Sequence, residues 1–271
     1  MHVQCSGETV WSAILRQRQL LRQLVRHNVL ERYRGALLGL LWSLLTPLAM
    51  LAVYSFVFGF VLKVEWKESP PGVGSFALTL FAGLIAYNFF SEVVNQSTTV
   101  IIRNPNYVKK VLFPLEILPV AKLGEGLYHT AASFLILLVG ELVLLHRIPM
   151  TALCLPVVLL PLILFTAGMA WFLAALGVFV RDAPYVVGIA TNVLFFATPI
   201  LYPASSLPPS FRWLVYMNPL AGSVHHCRQL LIWGEWPNVA WFCYTLIVAI
   251  VTFYLGFIFF SKTQRSFADV L

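Results

Sequence analysis

Apolar residues fall along this chain in long, nearly unbroken blocks separated by short polar stretches. A helix that crosses a bilayer needs about 20 mostly apolar residues. Six blocks reach that length, at residues 37–62, 76–94, 117–145, 152–180, 184–202 and 239–260, and we number them spans one to six. Several exceed the minimum, which predicts tilted or broken helices. Pro156, Pro161 and Pro199 lie inside them; membrane helices tolerate such residues where neighbours satisfy the freed carbonyls. A transmembrane barrel would instead alternate apolar and polar residues in segments of about 10 residues, and no block does so. The pattern predicts an all-α integral membrane fold of six transmembrane helices, a single domain over residues 1–271.

Three further segments are not spans. Within region 10–34, residues 11–27 place Trp11, Ile14, Leu15, Leu21, Leu24 and Val25 near one helical face and Gln19, Arg22, Gln23 and Arg26 on the other. This predicts an amphipathic helix lying at the inner membrane interface; a cytosolic helix packed on a partner would show the same pattern. Residues 103–114 are polar and basic, with Pro105 and Pro114 bracketing about two helical turns. A short helix there, outside the bilayer, is a handle for a second protein. Residues 203–236 are too apolar for a solvated loop. Pro208 and Pro209 open one short helix, and Asn218-Pro219 separates it from another. Each is roughly 10 residues, too short to span. The pair is expected to dip into the outer leaflet and return, a re-entrant hairpin at the mouth of a pathway.

Composition agrees with a bilayer as solvent. Hydrophobic residues make up 59% and charged residues 11%, with a mean hydropathy of +0.82, where a soluble domain carries about 25% charged residues. The net charge of +7 does not point to nucleic acid, because the basic residues flank the spans and suit anionic headgroups and topology. Thirteen Lys and Arg fall on one side of the six-span frame (six from Arg16 to Arg34, then Arg103, Lys109, Lys110, Lys122, Arg181, Lys262 and Arg265). Five fall on the other: Lys63, Lys67, Arg147, Arg212 and Arg228. The asymmetry places both termini in the cytoplasm. Trp66, Trp213, Trp233, Trp236 and Trp241 then lie near the outer interface. The first apolar block follows a long Arg-rich segment, which does not read as a cleavable signal peptide.

Candidate chemistry is sparse. Lys122, Glu125 and His129 share a face of span three at i, i+3 and i, i+4 spacings, and Glu141 lies further along it. A proton relay and a self-neutralising structural cluster both fit; with no second charged span facing it, the structural reading is favoured. Arg181-Asp182 suits a turn that caps span five. His225-His226-Cys227 is no metal site on this reading, because adjacent helical residues point about 100° apart. The four cysteines lack metal or disulfide-framework spacing. Gly35 and Gly39 match a close-packing spacing at the start of span one. No catalytic constellation is present, and no G-x-x-x-x-G-K-[ST] phosphate loop. Any ATP-driven step therefore needs another chain.

Three blocks resemble a known family: ERYRGALLGLLWSLLTPLAMLAVYSFVFG at 31–59, NPNYVKKVLFPLEILP at 104–119, and GVFVRDAPYVVGIATNVLFFATPILYP at 177–203 followed by MNPLAGSVHHCRQLLIWG at 217–234. In this order and on this hydropathy frame, the chain resembles the membrane subunit of type-2 ABC exporters for polysaccharides, such as the O-antigen, capsule and teichoic-acid permeases, with the first block nearest the O-antigen branch. The resemblance implies a homodimer in the bacterial inner membrane, working with two copies of a separate ABC ATPase that binds ATP and Mg. It implies a polysaccharide on undecaprenyl diphosphate as cargo, carried from the cytoplasmic to the periplasmic face. Arg103, Asn104, Pro105, Asn106, Tyr107, Val108, Lys109 and Lys110 would couple to the ATPase. Spans one and five would line the channel, with Arg34, Trp42, Tyr54, Phe58, Phe195, Phe196 and Tyr202 as pathway candidates. Pro208, Phe211, Trp213, Tyr216, Asn218 and Pro219 would belong to the outer gate. No cofactor or metal is expected on this chain. A secondary transporter independent of ATP is the rival reading, and it would be expected to carry internal repeats.

The charge asymmetry makes a topological prediction. Single cysteines near Glu68 and Ser206 should react with a membrane-impermeant maleimide added from outside, and those near Lys109 and Arg265 should not. Outside labelling at Lys109 would overturn the six-span frame.

Overall fold

A computed structural model of the protein describes residues 17–61, 73–108 and 113–270. Among these residues every regular element is helical. Five helices are long and apolar enough to cross a membrane: Gly39–Phe58, Gly74–Val100, Ile117–Leu144, Met150–Phe179 and Val239–Val270. These are spans one, two, three, four and six.

Span five departs from the expectation of one helix over 184–202. Its helix is Ala183–Ala197, 15 residues, or about 22 Å, short of the roughly 30 Å hydrocarbon core. Residues 198–202 continue the apolar block in turns and bends. Pro199 is the cause: the residue before a proline is pushed out of the helical region, and Thr198 has φ −94° and ψ 131°. Hydropathy alone cannot register that break.

The broken end is held by one side chain. Arg228 is 2% exposed. Its Nε donates to the carbonyl of Thr79 at 2.9 Å, Nη1 to that of Pro199 at 2.7 Å and Nη2 to that of Ile200 at 2.7 Å. Carbonyls freed by a helix break at membrane depth must find donors within the protein, and the planar guanidinium offers several in a fixed fork. Gly83 leaves the space: a Cβ there would stand 2.6 Å from Arg228 Nη2. Asn218 Nδ2 adds a bond to Thr198 Oγ1 at 3.0 Å.

Span two is the hub. In its most apolar 18-residue window 83% of residues are buried, against 11% for span one and 33% for span four. Small residues admit its neighbours, as they do between membrane helices generally. A Cβ on Gly177 of span four would lie 1.9 Å from the carbonyl oxygen of Thr98 in span two. Span four packs as tightly on span six, where a Cβ on Gly256 would lie 2.0 Å from the Gly168 carbonyl oxygen and one on Gly168 2.3 Å from that of Thr252. Gly35 and Gly39, singled out by spacing, are not packing residues. Both have left-handed φ, +84° for Gly35 in the turn before span one and +49° for Gly39 at its first residue, and a Cβ at either would meet nothing within 4 Å among the described residues.

The amphipathic segment forms the helix Arg18–Arg32, and residues 11–16 of the expected helix lie outside the described residues. Its apolar face meets the chain's own span three, where Gly124 makes room for Val25: a Cβ there would lie 2.5 Å from Val25 Cγ2. Between spans five and six, Arg212–Met217 and Pro219–Arg228 form two short helices. Asn218 separates them and caps the second, its Oδ1 accepting from Leu220 N at 3.0 Å. A widened helical turn, Gln229–Trp233, follows and ends at Gly234 with φ +71°.

Two substitutions test these contacts. Gly256→Val forces a branched side chain against a backbone carbonyl and should lower stability in detergent by at least about 1–3 kcal/mol, whereas Leu255→Ala, at an exposed position, should stay within about 0.5 kcal/mol. Arg228→Lys keeps the charge but cannot reach three carbonyls, and should cost about 1–3 kcal/mol. Thermal melting followed by tryptophan fluorescence reads both.

Candidate functional site

Three places carry the polar chemistry: a junction beside the amphipathic helix, the segment after span two, and a cavity behind the hairpin.

At the junction, Arg32 from the end of the amphipathic helix forms a close ion pair with Glu92 of span two and lies 3.8 Å from Glu125 of span three. Lys122 Nζ bonds Glu125 Oε2 at 2.8 Å. Tyr33 Oη and His129 Nδ1 are 3.2 Å apart, and Gln96 Nε2 donates to Glu92 Oε1 at 3.2 Å. Burial alone would lower the Arg32 pKa; the Glu92 carboxylate beside it outweighs that and holds the guanidinium above its ordinary value. Span three's cluster therefore does face a second charged span, contrary to the expectation. The missed group was Glu92. Its signal in the sequence is an acidic residue in the polar run SEVVNQS at the end of an otherwise apolar block. One ligand atom each from Glu92, Glu125 and His129 would suit a small cation, since these lie within 4.8 Å of one another. Arg32 and Lys122 already supply positive charge to both carboxylates. Glu141 stands apart, more than three turns beyond His129 along span three; it is fully buried, and neither carboxylate oxygen has a hydrogen-bond partner among the described residues.

The junction borders a cavity of about 690 Å³ between spans one, two and three, lined by Trp42, Tyr54, Ser43, Thr46, Asn88 and Asn95 among others. The pathway candidates thus fall into two groups. Trp42 and Tyr54 line this cavity, and Phe58 packs between Tyr54 and Phe76. Phe195 packs on Tyr87 of span two, Phe196 is exposed beside it, and Tyr202 Oη donates to the Phe196 carbonyl at 2.7 Å. Arg34 is exposed in the turn after the amphipathic helix.

After span two, Pro105–Val108 is a four-residue helix. Asn104 Nδ2 donates to the Val100 carbonyl at 2.8 Å, tying the segment to the end of span two. The Tyr107 ring stacks on Phe113 at 4.2 Å. Arg103 and Asn106 are exposed; Lys109 and Lys110 lie outside the described residues. At the next turn, Asp182 occupies the N-cap position of span five, but its side chain makes no capping bond; the expected capping role is not seen.

In the hairpin, Pro208, Phe211, Trp213 and Tyr216 are exposed, while Asn218 and Pro219 form the break. The two histidines diverge. His225 packs against Trp233 and Trp241, and His226 against Trp241 and Phe242. Burial pushes His225 down to about 4, with Arg228 adding to it, and burial pushes His226 down to about 4, with His225 adding to it. Both rings are neutral at neutral pH. Cys227 is fully buried, and burial pushes its thiol up to about 12.

Comparison with known proteins matches the sequence to relatives along nearly the whole chain. An O-antigen export system permease protein RfbA of Klebsiella pneumoniae is 27% identical over 254 residues, covering 93% of this chain and 95% of the relative. One from Myxococcus xanthus is 28% identical over 254 residues, covering 93% and 95%. The polysialic acid transport protein KpsM of Escherichia coli is 24% identical over 257 residues, covering 92% and 95%. The family profile for the ABC-2 type transporter matches residues 19–232, from the amphipathic helix through the widened turn of the hairpin, and the chain belongs to that family.

Proposed function

We propose that this protein is the membrane subunit of an ATP-driven exporter that moves a lipid-linked polysaccharide such as O-antigen from the cytoplasmic to the periplasmic face of the inner membrane. The observation that carries this reading is the end-to-end alignment with O-antigen export permeases, 93% of this chain against 95% of theirs. The weaker match to a polysialic acid transporter favours capsule polysaccharide as the second reading of the same exporter class.

The chain would act as a homodimer with two copies of a separate ABC ATPase, which would supply the nucleotide and Mg sites. The absence of a phosphate-loop motif from the sequence supports that division. Residues 103–114 would be the coupling segment, and the hairpin would close the pathway on the outer side. The aromatic and amide lining of the 690 Å³ cavity suits hydroxyls and apolar ring faces.

The coupling role is tested by backbone shape rather than charge. An exposed ion pair is worth about 0–1 kcal/mol, whereas a proline at Val108, the last residue of the helix Pro105–Val108, removes a backbone N–H and pushes Tyr107 out of the helical region. Val108→Pro should therefore reduce polysaccharide export far more than Lys109→Ala, while both variants insert in the membrane. Export is read as surface polysaccharide in a complemented deletion strain, and coupling as ATPase co-purification. Normal export by Val108→Pro would remove the coupling role.

A further inference from the structure

Spans four and six meet at Gly168 and Gly256, where no side chain separates their backbones. The same glycines leave the seam beside that contact unfilled, as a groove of about 480 Å³. Leu255 and Ile258, both exposed, form its rim. The Phe172 and Phe259 rings, 5.0 Å apart between centroids, wall its inner part. On span six the lining runs from Thr252 to Lys262 at spacings of three and four, along one helical face. That stretch rises about 15 Å, half of the roughly 30 Å hydrocarbon core. Lys262 stands in the last turn of the helix Val239–Thr263. The groove therefore has the depth of one leaflet, from near the bilayer midplane to the interface that the charge asymmetry assigns to the cytoplasm.

The lining chooses the occupant. An empty apolar groove forfeits dispersion contacts along its whole surface, and in a bilayer the filler at hand is an acyl chain. Thr252 and Lys262 carry its only hydroxyl and its only charge, so a sugar would find almost nothing to bond. No Asp or Glu lines it, and Lys262 takes part in no ion pair among the described residues. Arg265 is exposed three residues further on. The floor is apolar and the mouth is positive, which complements a lipid with an anionic headgroup. The lysine stem lies along apolar surface while its ammonium reaches headgroup level.

We propose that the seam of spans four and six binds one anionic glycerophospholipid of the cytoplasmic leaflet, with an acyl chain over Gly168 and Gly256 and the phosphate on Lys262. The lipid fills the seam that the glycine contact leaves open. The site lies apart from the cavity between spans one, two and three, and it does not depend on the exporter reading.

The test uses the full-length protein in nanodiscs of phosphatidylethanolamine with a minority of phosphatidylglycerol. Native mass spectrometry counts the lipids that stay on the protein once the disc is removed. The wild type should retain phosphatidylglycerol well above its share of the disc. Lys262→Gln should lower that enrichment about fivefold, and Lys262→Arg should keep it. Lys262 is exposed, so both variants are expected to fold. Thr252→Phe fills the groove without touching the charge and should also lose the lipid. Arg22→Gln, at an exposed position of the amphipathic helix, controls for general attraction and should change nothing. Absence of enrichment in the wild type overturns the site, as does an equal loss in Arg22→Gln. Full retention by folded Thr252→Phe places the lipid elsewhere and overturns it too. Two further results would assign the groove to another occupant and sink the proposal. One is displacement of the phosphatidylglycerol by a polyprenyl phosphate added to the disc. The other is a disulfide joining two copies of Leu255→Cys where the parent protein forms none.

Discussion

The fold depends on satisfying backbone carbonyls where a membrane helix stops short. Inside a bilayer no water is available to pair them, and each unsatisfied group costs several kcal/mol. Span five stops at Ala197, and the carbonyls of Pro199 and Ile200 are taken by Arg228. The same guanidinium holds the Thr79 carbonyl of span two. One side chain of the hairpin thus joins the hub of the bundle to its irregular span. Gly83 and Asn218 belong to the same device: one supplies the room and the other bonds Thr198.

Toward the other end of the hub, the junction around Arg32 works by charge rather than by carbonyl pairing. It joins the amphipathic helix to spans two and three through Glu92 and Glu125. Glu125 is nearly inaccessible, yet two cations share it. Removing one partner of such a group is more damaging than the pair is stabilising, because a buried charge is left behind. The two ends of span two are thus held by different physics, each suited to its surroundings.

Much of this was legible in the hydropathy pattern. The five long spans begin and end near the edges of their apolar blocks, because bilayer thickness fixes a minimum length and composition does the rest. The hairpin helices were legible from Pro208, Pro209 and Asn218-Pro219, whose effects are local. Span five was misread because apolarity does not distinguish helix from extended chain, and Pro199 lay too near the end to weigh against a span. Gly35 and Gly39 were misread for a related reason: spacing implies a helix face only if the backbone is helical there. Arg228 read as a topological charge and Glu92 went unnoticed. Their partners lie 28 to 149 residues away for Arg228 and 60 for Glu92, and a single sequence carries no record of such pairings.

The glycine contact at Gly177 has a mechanical consequence. It presses span four onto the backbone of Thr98 just before the chain turns into span five at Ala183. Span five is therefore rooted in a tightly packed part of the bundle and held again at Thr191 by Tyr87 and Asn95 of span two, and a deflection that breaks those bonds grows along its length. Over about 22 Å of helix, a tilt of roughly 10° at the root becomes about 4 Å at the tip. That exceeds the 2.7 Å length of the bonds from Arg228, so small rotations at the base are enough to unseat the far end.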